Sequence, residues 1–181
     1  MGMKSLYESI LSSTHAGKVS LVRAWLEKYG IKNYTINKKG EIDVDGNVSL
    51  IKCGLVEFPS FIQFGTIKGN FYCSYNKLTS LKGSPIEVSG YFYCYGNNLT
   101  TLEGAPKKVG KVFDCSSNKL TSLEGAPREV GESFHCNNNK LNSLKGAPKE
   151  IGGGFFCKNN TTKFTEDDVR KVCKVKYGIS L

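Results

Sequence analysis

Apolar and polar positions recur along this chain with a period of 21 residues. The period is clearest at the cysteines, which stand at Cys73, Cys94, Cys115, Cys136 and Cys157. An asparagine follows each cysteine by three residues, and leucines follow it by five and eight residues in the first four units. One unit reads F-x-C-x-x-N-K-L-T-S-L-E-G-A-P-x-x-V-G-x-x. A single unit cannot bury its apolar positions alone, so the pattern predicts stacked units that share one continuous core.

Within each unit the pattern predicts a short strand followed by turns. Phenylalanine and cysteine in F-x-C lie on one side of an extended chain and the residue between them on the other. Neighbouring units would therefore place their strands side by side in a parallel sheet, about 4.8 Å apart. The asparagine amide is expected to satisfy backbone groups of the turn that follows. Glycine's free dihedral angles and proline's fixed φ in G-A-P would return the chain.

The segment C-x-x-N-x-L-T-S-L resembles the L-x-L-x-x-N-x-L core of leucine-rich repeats, with cysteine at the last strand position. The proline-bearing return is similar to that of the short bacterial repeats in secreted effectors of enteric pathogens, and to repeat proteins of large tailed phages. The unit is one residue longer than the effector type, and no catalytic domain of the effector kind is expected. The resemblance implies an α+β fold, a right-handed leucine-rich-repeat solenoid with a parallel sheet on its concave face.

The segment before the repeats, residues 1–52, is expected to form an N-terminal helix–hairpin capping region. A capping box predicts a short helix over Ser5–Ser12. Apolar residues at helical spacing predict a second helix over Lys18–Tyr29. Alternating segments at Tyr34–Asn37 and Glu41–Val44 predict two strands joined by a hairpin turn.

The repeats are assigned to residues 53–163 and a C-terminal capping helix to residues 164–181. Residues 55–69 are interpreted as a degenerate first repeat in which the leucine and proline columns do not hold register. Thr165 is the expected cap of the C-terminal helix, because three acidic residues follow it in the first turn. The expected apolar stripe of that helix is Val169, Val172 and Cys173.

Composition favours a cytoplasmic protein with reduced thiols and no membrane partner. No segment approaches the roughly 18 apolar residues of a membrane span, and the first dozen residues lack the apolar run of a signal peptide. The chain has seven cysteines, and a cytosolic setting would keep them reduced. The net charge of +9 is spread along the chain without a run of five or more like charges, which is typical of a solvated surface.

Several motifs could suggest a metal or an active site, and each has a structural alternative that we favour. The inward cysteines have no C-x-x-C partner or histidine at ligand spacing, so core packing is predicted for them and a structural role for the asparagines. The Asp43–Asn47 segment is similar to part of a calcium loop but lacks its terminal glutamate, so a hairpin turn is predicted. His15 and His135 have no recognisable catalytic partner. We therefore expect a protein that is not an enzyme, with no cofactor, metal or small-molecule substrate.

The remaining candidate site is the outward face of the predicted sheet. Positions three before, one before and one after each ladder cysteine do not repeat, although everything around them does. Four tyrosines fall on the first two strands, with a fifth beside them, and exposed tyrosine on a rigid sheet is typical of protein recognition. The alternative is that strands simply favour aromatic residues. The predicted binding residues are Tyr72, Tyr75, Tyr91, Tyr93, Tyr95, Asp114, His135, Asn137, Phe156 and Lys158. The outward set also includes Asn70, Ser74, Val112, Ser116, Ser133 and Gly154.

Two functions are consistent with this face. The favoured hypothesis is non-catalytic protein binding. The phage resemblance extends it to a factor that binds and inhibits a bacterial host protein of defence or regulation. The alternative is nucleic-acid binding, in which the tyrosines stack on bases beside a basic edge. That edge would be formed by Lys77, Lys119 and Lys140, while a second basic set, Lys107, Arg128 and Lys149, is interleaved with glutamates.

Overall fold

A parallel β-solenoid of seven turns makes up most of residues 14–181, the part of the chain that the computed structural model describes. Each turn contributes one strand to each of two sheets. Two helices accompany the strands: α1 spans His15–Lys28 and α2 spans Glu166–Val172. The helix predicted over Ser5–Ser12 lies outside the described residues. The repeat of 21 residues therefore builds one coil of the solenoid.

The smaller sheet contains the F-x-C strands that the sequence predicted, paired in parallel and in register. Its order is β15-β13-β11-β9-β7-β5-β3. The strands are β3 Val48–Ser49, β5 Phe71–Tyr72, β7 Phe92–Tyr93, β9 Phe113–Asp114, β11 Phe134–His135, β13 Phe155–Phe156 and β15 Ile179–Ser180.

A second, larger sheet was not predicted, because only one of its two residues per repeat is apolar. Its order is β1-β2-β4-β6-β8-β10-β12-β14, parallel except for the antiparallel β1–β2 pair. The strands are β1 Tyr34–Ile36, β2 Ile42–Val44, β4 Phe64–Ile67, β6 Glu87–Val88, β8 Lys108–Val109, β10 Glu129–Val130, β12 Glu150–Ile151 and β14 Lys174–Val175. The valine column faces inward here, and the residue before each valine faces outward.

The interior consists of the repeated apolar columns, as predicted. The phenylalanine rings stack along the solenoid, with centroids 5.5 Å apart for Phe71 and Phe92 and 5.2 Å apart for Phe92 and Phe113. The four cysteines from Cys73 to Cys136 are fully buried, and Cys157 is 3% exposed. Stacked rings and buried thiols thus fill the space between the two sheets.

The asparagine column ties successive coils together, which confirms its predicted structural role. The Oδ1 atom of Asn97 accepts a hydrogen bond from the Leu78 backbone N–H at 3.0 Å. Its Nδ2 atom donates to the carbonyl oxygens of Cys73 and Cys94, both at 3.0 Å. Because each asparagine bonds to its own coil and to the preceding one, the column works as a continuous amide ladder.

Glycine is required at two corners of the coil. Gly104, in the G-A-P step, has a φ of +89° and lies against the Leu81 backbone, as the sequence predicted for this step. Gly131 lies in the corner that connects strand β10 to strand β11. A Cβ atom there would overlap the carbonyl oxygen of Gly110 in the preceding coil. Neighbouring backbones can approach this closely at the second corner only where the side chain is absent.

The first helix and the hairpin follow the predicted pattern with shifted bounds. Helix α1 begins three residues before the predicted Lys18, because the Thr14 hydroxyl caps it by accepting from the Gly17 backbone N–H at 3.0 Å. Trp25 and Leu26 are buried on its inner side. Strands β1 and β2 form the predicted antiparallel pair.

The leucine column runs through residues 55–69 out of the 21-residue register, as the sequence predicted. The backbone N–H of Leu55 donates to Asn76 Oδ1 at 3.0 Å, as Leu78 does to Asn97 one coil later. Phe71 follows Val48 in register by 23 residues, so this coil is two residues longer than the four 21-residue coils that follow it. The insertion hides the column from a search at fixed period.

The C-terminal segment contains more than the predicted helix. Thr165 caps α2 and forms a capping box with Asp168, as expected. After the helix, the chain returns to both sheets as β14 and β15, so α2 belongs to one further coil. Val169 and Cys173 are buried, but Val172 is 37% exposed, so its place in the apolar stripe was predicted wrongly. The helix ends at Val172.

Candidate functional site

The candidate site lies on the outer side of the smaller sheet. One residue of each strand faces away from the phenylalanine column, and strand pairing places these residues in register. We call this set the outer row, and it consists of Ser49, Tyr72, Tyr93, Asp114, His135, Phe156 and Ser180. Its five central members are half-buried against their neighbours. Adjacent members are about one strand spacing, 4.8 Å, apart at the backbone.

Five tyrosines form one continuous surface at the N-terminal half of the outer row. The ring centroids of Tyr72 and Tyr93 are 5.4 Å apart, and those of Tyr91 and Tyr93 are 5.5 Å apart. Tyr95 lies 6.0 Å from Tyr93 and makes an edge contact with Tyr75 at 5.0 Å. These distances are typical of interacting aromatic pairs. The structure thus joins all five predicted tyrosines into a single group, which we call the tyrosine cluster.

Tyr75 enters this cluster with an unusual backbone conformation. Its φ is +56°, and the same position in the other coils is left-handed too. The column contains Lys52, Tyr75, Gly96, Ser117, Asn138 and Asn159. Glycine and asparagine adopt this conformation readily, whereas for a bulky side chain it costs on the order of 1 kcal/mol or more. Tyr75 is also 53% exposed, so burial of its ring does not explain its presence.

Two lysines border the tyrosine cluster. The Lys52 ammonium lies 5.5 Å from the Tyr75 ring centroid, and the Lys111 ammonium lies 5.1 Å from that of Tyr91. Lys111 also approaches Glu132 at 3.9 Å. The cluster is therefore apolar and aromatic at its centre and basic at two edges.

Asp114 is the one acidic member of the outer row, between Tyr93 on one strand and His135 on the next. Its Oδ1 atom accepts from the Ser116 backbone N–H at 2.9 Å. Among residues 14–181, no basic group lies within ion-pair distance of this carboxylate, and Oδ2 has no hydrogen-bond donor. Burial, neighbouring tyrosines and Asp114 together raise the pKa of Tyr93, and burial also raises that of Tyr95. Both phenols therefore stay neutral at physiological pH.

His135 and Phe156 form a second aromatic group beyond Asp114. Their ring centroids are 4.4 Å apart and nearly parallel. Burial lowers the pKa of His135 below its ordinary value of 6.5, although the negative charge of Asp114 opposes the shift. The imidazole is consequently neutral at pH 7 and does not act as a counter-ion for Asp114.

Not every predicted outward residue faces solvent. Ser74 is fully buried, and its hydroxyl lacks a hydrogen-bond partner within the described part of the chain. Gly154 is buried as well, because the Phe156 ring lies against it. The alternation of a strand does not reveal this covering by neighbouring aromatic rings. Asn137 bridges two coils by accepting from the backbone N–H of the exposed Lys158 at 2.7 Å.

The cysteine column is part of the buried core. Burial raises the pKa of Cys94, Cys115 and Cys136 well above the ordinary value. The Cys115 thiol donates to the carbonyl oxygen of His135 at 3.3 Å, so it contributes to contact between coils. At the end of the column, hydrogen bonds from Cys136 and Asn160 lower the pKa of Cys157. All seven cysteines are free thiols.

The side chains of the segment that resembles a calcium loop each bind another group of the protein and do not converge on one central point. Asp43 Oδ1 accepts from the Thr66 backbone N–H at 2.7 Å, and Asp45 pairs with Lys68 at 2.9 Å. Asn47 accepts from the Asn70 backbone N–H at 2.8 Å. Each side chain thus binds the next coil, and residues 14–181 contain no group of three or more His, Cys, Asp or Glu placed to hold a metal ion.

The basic residues lie outside the outer row. Lys77, Lys119 and Lys140 are exposed after the asparagine ladder, and none of them has an acidic partner within the described residues. The set Lys107, Arg128 and Lys149 is also exposed, with its backbones bonded in sequence from coil to coil. The structure therefore arranges both predicted basic sets in columns, away from the tyrosine cluster's centre.

Comparisons with known proteins leave the chain without a family assignment. No protein-family model, curated protein or solved structure matches it. Neither helix in the described part of the chain combines the length and apolarity needed to cross a membrane. The outer row and the tyrosine cluster are therefore the features from which we infer a function.

Proposed function

We propose that this protein is a non-catalytic protein-binding module that uses the outer face of its smaller sheet. The observation that carries the proposal is the tyrosine cluster, five rings in continuous contact on a rigid parallel sheet. Tyrosine offers a large amphipathic contact area at a small cost in side-chain entropy. Such rings are enriched at the centres of protein interfaces, where they contribute much of the binding free energy.

The left-handed backbone of Tyr75 supports the same proposal. The scaffold carries lysine, glycine, serine or asparagine at this position in other coils. A tyrosine here carries a conformational cost and leaves half of its ring exposed. A cost of this kind is expected where the side chain serves recognition rather than folding.

The resemblance to leucine-rich repeats adds finer elements to the proposal. It implies that the binding face is the concave side of a right-handed solenoid and that the two end regions act as caps. It also suggests a cytoplasmic factor of phage type, whose partner is a bacterial host protein of defence or regulation.

The test introduces charge at the cluster centre through Tyr93→Glu combined with Tyr95→Glu. The double variant should retain the fold, because both rings lie outside the core, and should lose proteins that the unmodified chain captures from a bacterial lysate. Ser20→Glu with Thr121→Glu, both exposed and distant in sequence from the cluster, is the matched control. Unchanged capture by the tyrosine variant, at unchanged melting temperature, would refute the proposal.

A second candidate function, single-stranded nucleic-acid binding, is favoured by the unpaired edge lysines Lys77, Lys119 and Lys140. Stacking tyrosines beside a basic edge is the general arrangement of such proteins. Asp114 opposes it, because a carboxylate within the outer row repels phosphate. Affinity for an oligonucleotide that falls steeply with salt would support this function, and affinity that is absent at low salt would exclude it.

A further inference from the structure

The aromatic side chains of the outer row are interrupted at one position. Tyr72 and Tyr93 are in contact on one side, and His135 and Phe156 are stacked on the other. Asp114 lies between these two pairs, one strand away from each. Tyr93 and His135 are thus separated by about two strand spacings, or roughly 9.6 Å at the backbone. Asp114 thus has an aromatic residue on each side along the row, and we call this carboxylate with the flanking Tyr93 and His135 the slot.

The Asp114 carboxylate has no positively charged partner among the described residues. Asp114 Oδ1 is engaged by the Ser116 backbone N–H, while Oδ2 has no donor within residues 14–181. The imidazole of His135 is neutral at pH 7, so it does not supply the missing positive charge. On a chain of net charge +9, an acid without a basic neighbour on the most aromatic surface requires an explanation.

We propose that this slot, resting on the protein-binding function proposed above, receives an arginine side chain of the partner. A guanidinium is planar and weakly hydrated, and it stacks on aromatic faces while donating several N–H groups in a fixed plane. Placed over Asp114, it would donate to Oδ2 and lie between Tyr93 and His135. The row would then present planar groups without interruption from Tyr72 to Phe156, with Tyr72 and Tyr93 tilted by 45° to each other.

Arginine fits this slot better than lysine for a geometric reason. An ammonium is a compact, strongly hydrated charge and cannot fill a flat space between two rings. A nucleic acid fits worst, because its phosphates would approach a carboxylate. The chemistry of the slot thus selects a polypeptide that carries an exposed arginine.

The direct test titrates the full chain with N-acetyl-arginine amide, followed by the NMR signals of the Ser116 amide and the His135 ring. We expect saturable shifts at millimolar concentration, with the lysine counterpart binding more weakly. Citrulline amide, which has the same shape without charge, should bind at least about tenfold more weakly. Shifts that are linear, or equal for arginine and citrulline, would overturn the inference.

Asp114→Asn is the decisive variant, because the asparagine oxygen can still accept from Ser116 and so preserves the local turn. It should reduce arginine-amide affinity at least about tenfold, whereas Glu129→Gln on the larger sheet should not change it. If Asp114→Asn retains full affinity, the slot is not the binding site.

The outcomes separate this inference from the proposed function. Capture of a protein partner that requires Tyr93 and Tyr95 but is unaffected by Asp114→Asn would overturn the arginine site and leave the protein-binding function intact. Arginine-amide binding that depends on Asp114, together with capture that ignores the tyrosines, would support the slot and refute the function. Oligonucleotide binding to the unmodified chain that Tyr93→Glu with Tyr95→Glu abolishes, with no protein captured, would overturn both.

Discussion

The two sheets of the solenoid share every coil but present different chemistry on their outer sides. The larger sheet exposes Thr66, Glu87, Lys108, Glu129, Glu150 and Lys174. One ion pair within this row joins neighbouring strands, with Lys108 and Glu129 3.3 Å apart. The outer row of the smaller sheet instead carries Tyr72, Tyr93, Asp114, His135 and Phe156, half-buried against one another.

The difference cannot come from strand geometry. In the repeats from residue 87 to residue 156, both sheets contribute two-residue parallel strands in the same register. Strand propensity would therefore favour aromatic residues equally on both sides, which is the alternative explanation for the tyrosines. Aromatic residues nevertheless occur on the outer side of the smaller sheet, whereas the outer side of the larger sheet carries charged residues. This contrast favours a recognition role for the smaller sheet.

The outer faces of both sheets are held in place by the same coils, which the asparagine amide ladder ties together. Disrupting this ladder should therefore have the largest effect on stability. We expect Asn97→Ala to lower the free energy of unfolding by about 3 kcal/mol, because the Leu78 N–H and two cysteine carbonyls lose their partner. Urea unfolding monitored by far-UV circular dichroism measures the change.

The neighbouring Asn98 supplies the control for this substitution. Its side chain makes no hydrogen bond among the described residues, so Asn98→Ala should cost less than about 0.5 kcal/mol. Equal losses from the two substitutions would contradict the ladder and indicate a general effect of asparagine on the turn.

Sequence reasoning found the interior of this fold because every repeat must solve the same packing problem there. Phenylalanine, cysteine and asparagine recur at fixed spacing, and the structure places them as predicted. The larger sheet was missed because its outward residue varies and leaves valine alone as a signal. Gly96, Asn138 and Asn159 could have revealed the left-handed column, but Tyr75 concealed it. The position of Asp114 between two aromatic pairs depends on strand register, which no single repeat shows.

The left-handed column provides the second test, because it separates scaffold preference from the tyrosine cluster. Ser117→Tyr places a tyrosine in the conformation of Tyr75, two coils away from it and without its aromatic partner. We expect a loss of about 1 kcal/mol in unfolding free energy from this strained backbone. Ser116→Tyr, one residue earlier and outside the left-handed column, should change stability by less than about 0.5 kcal/mol. Identical values would show that Tyr75 carries no backbone cost.

Acidification tests the neutral state of His135 within the outer row. The folded pKa of this histidine is lowered from 6.5, so the unfolded chain binds a proton more readily. Stability should therefore be full above pH 6.5 and should fall as the pH drops through the lowered folded pKa, below which this contribution becomes constant. His135→Gln should remove this part of the pH dependence, while His15→Gln, on the exposed start of α1, should leave it unchanged. An NMR titration of the His135 ring that gives a pKa above 6.5 would contradict the prediction.

The smallest effect is expected on the larger sheet, where the charged row is a solvated surface. Lys108→Ala combined with Glu129→Ala should change the free energy of unfolding by less than about 0.5 kcal/mol. Both side chains are at least half exposed, at 62% and 50%, and ion pairs between exposed side chains contribute little to stability. Capture of a protein partner should also be unaffected, since neither residue belongs to the smaller sheet. Thermal unfolding and lysate capture with the same double variant measure both properties. A variant that folds normally but loses its partner would move the binding face to the larger sheet, and the aromatic row would then need another explanation.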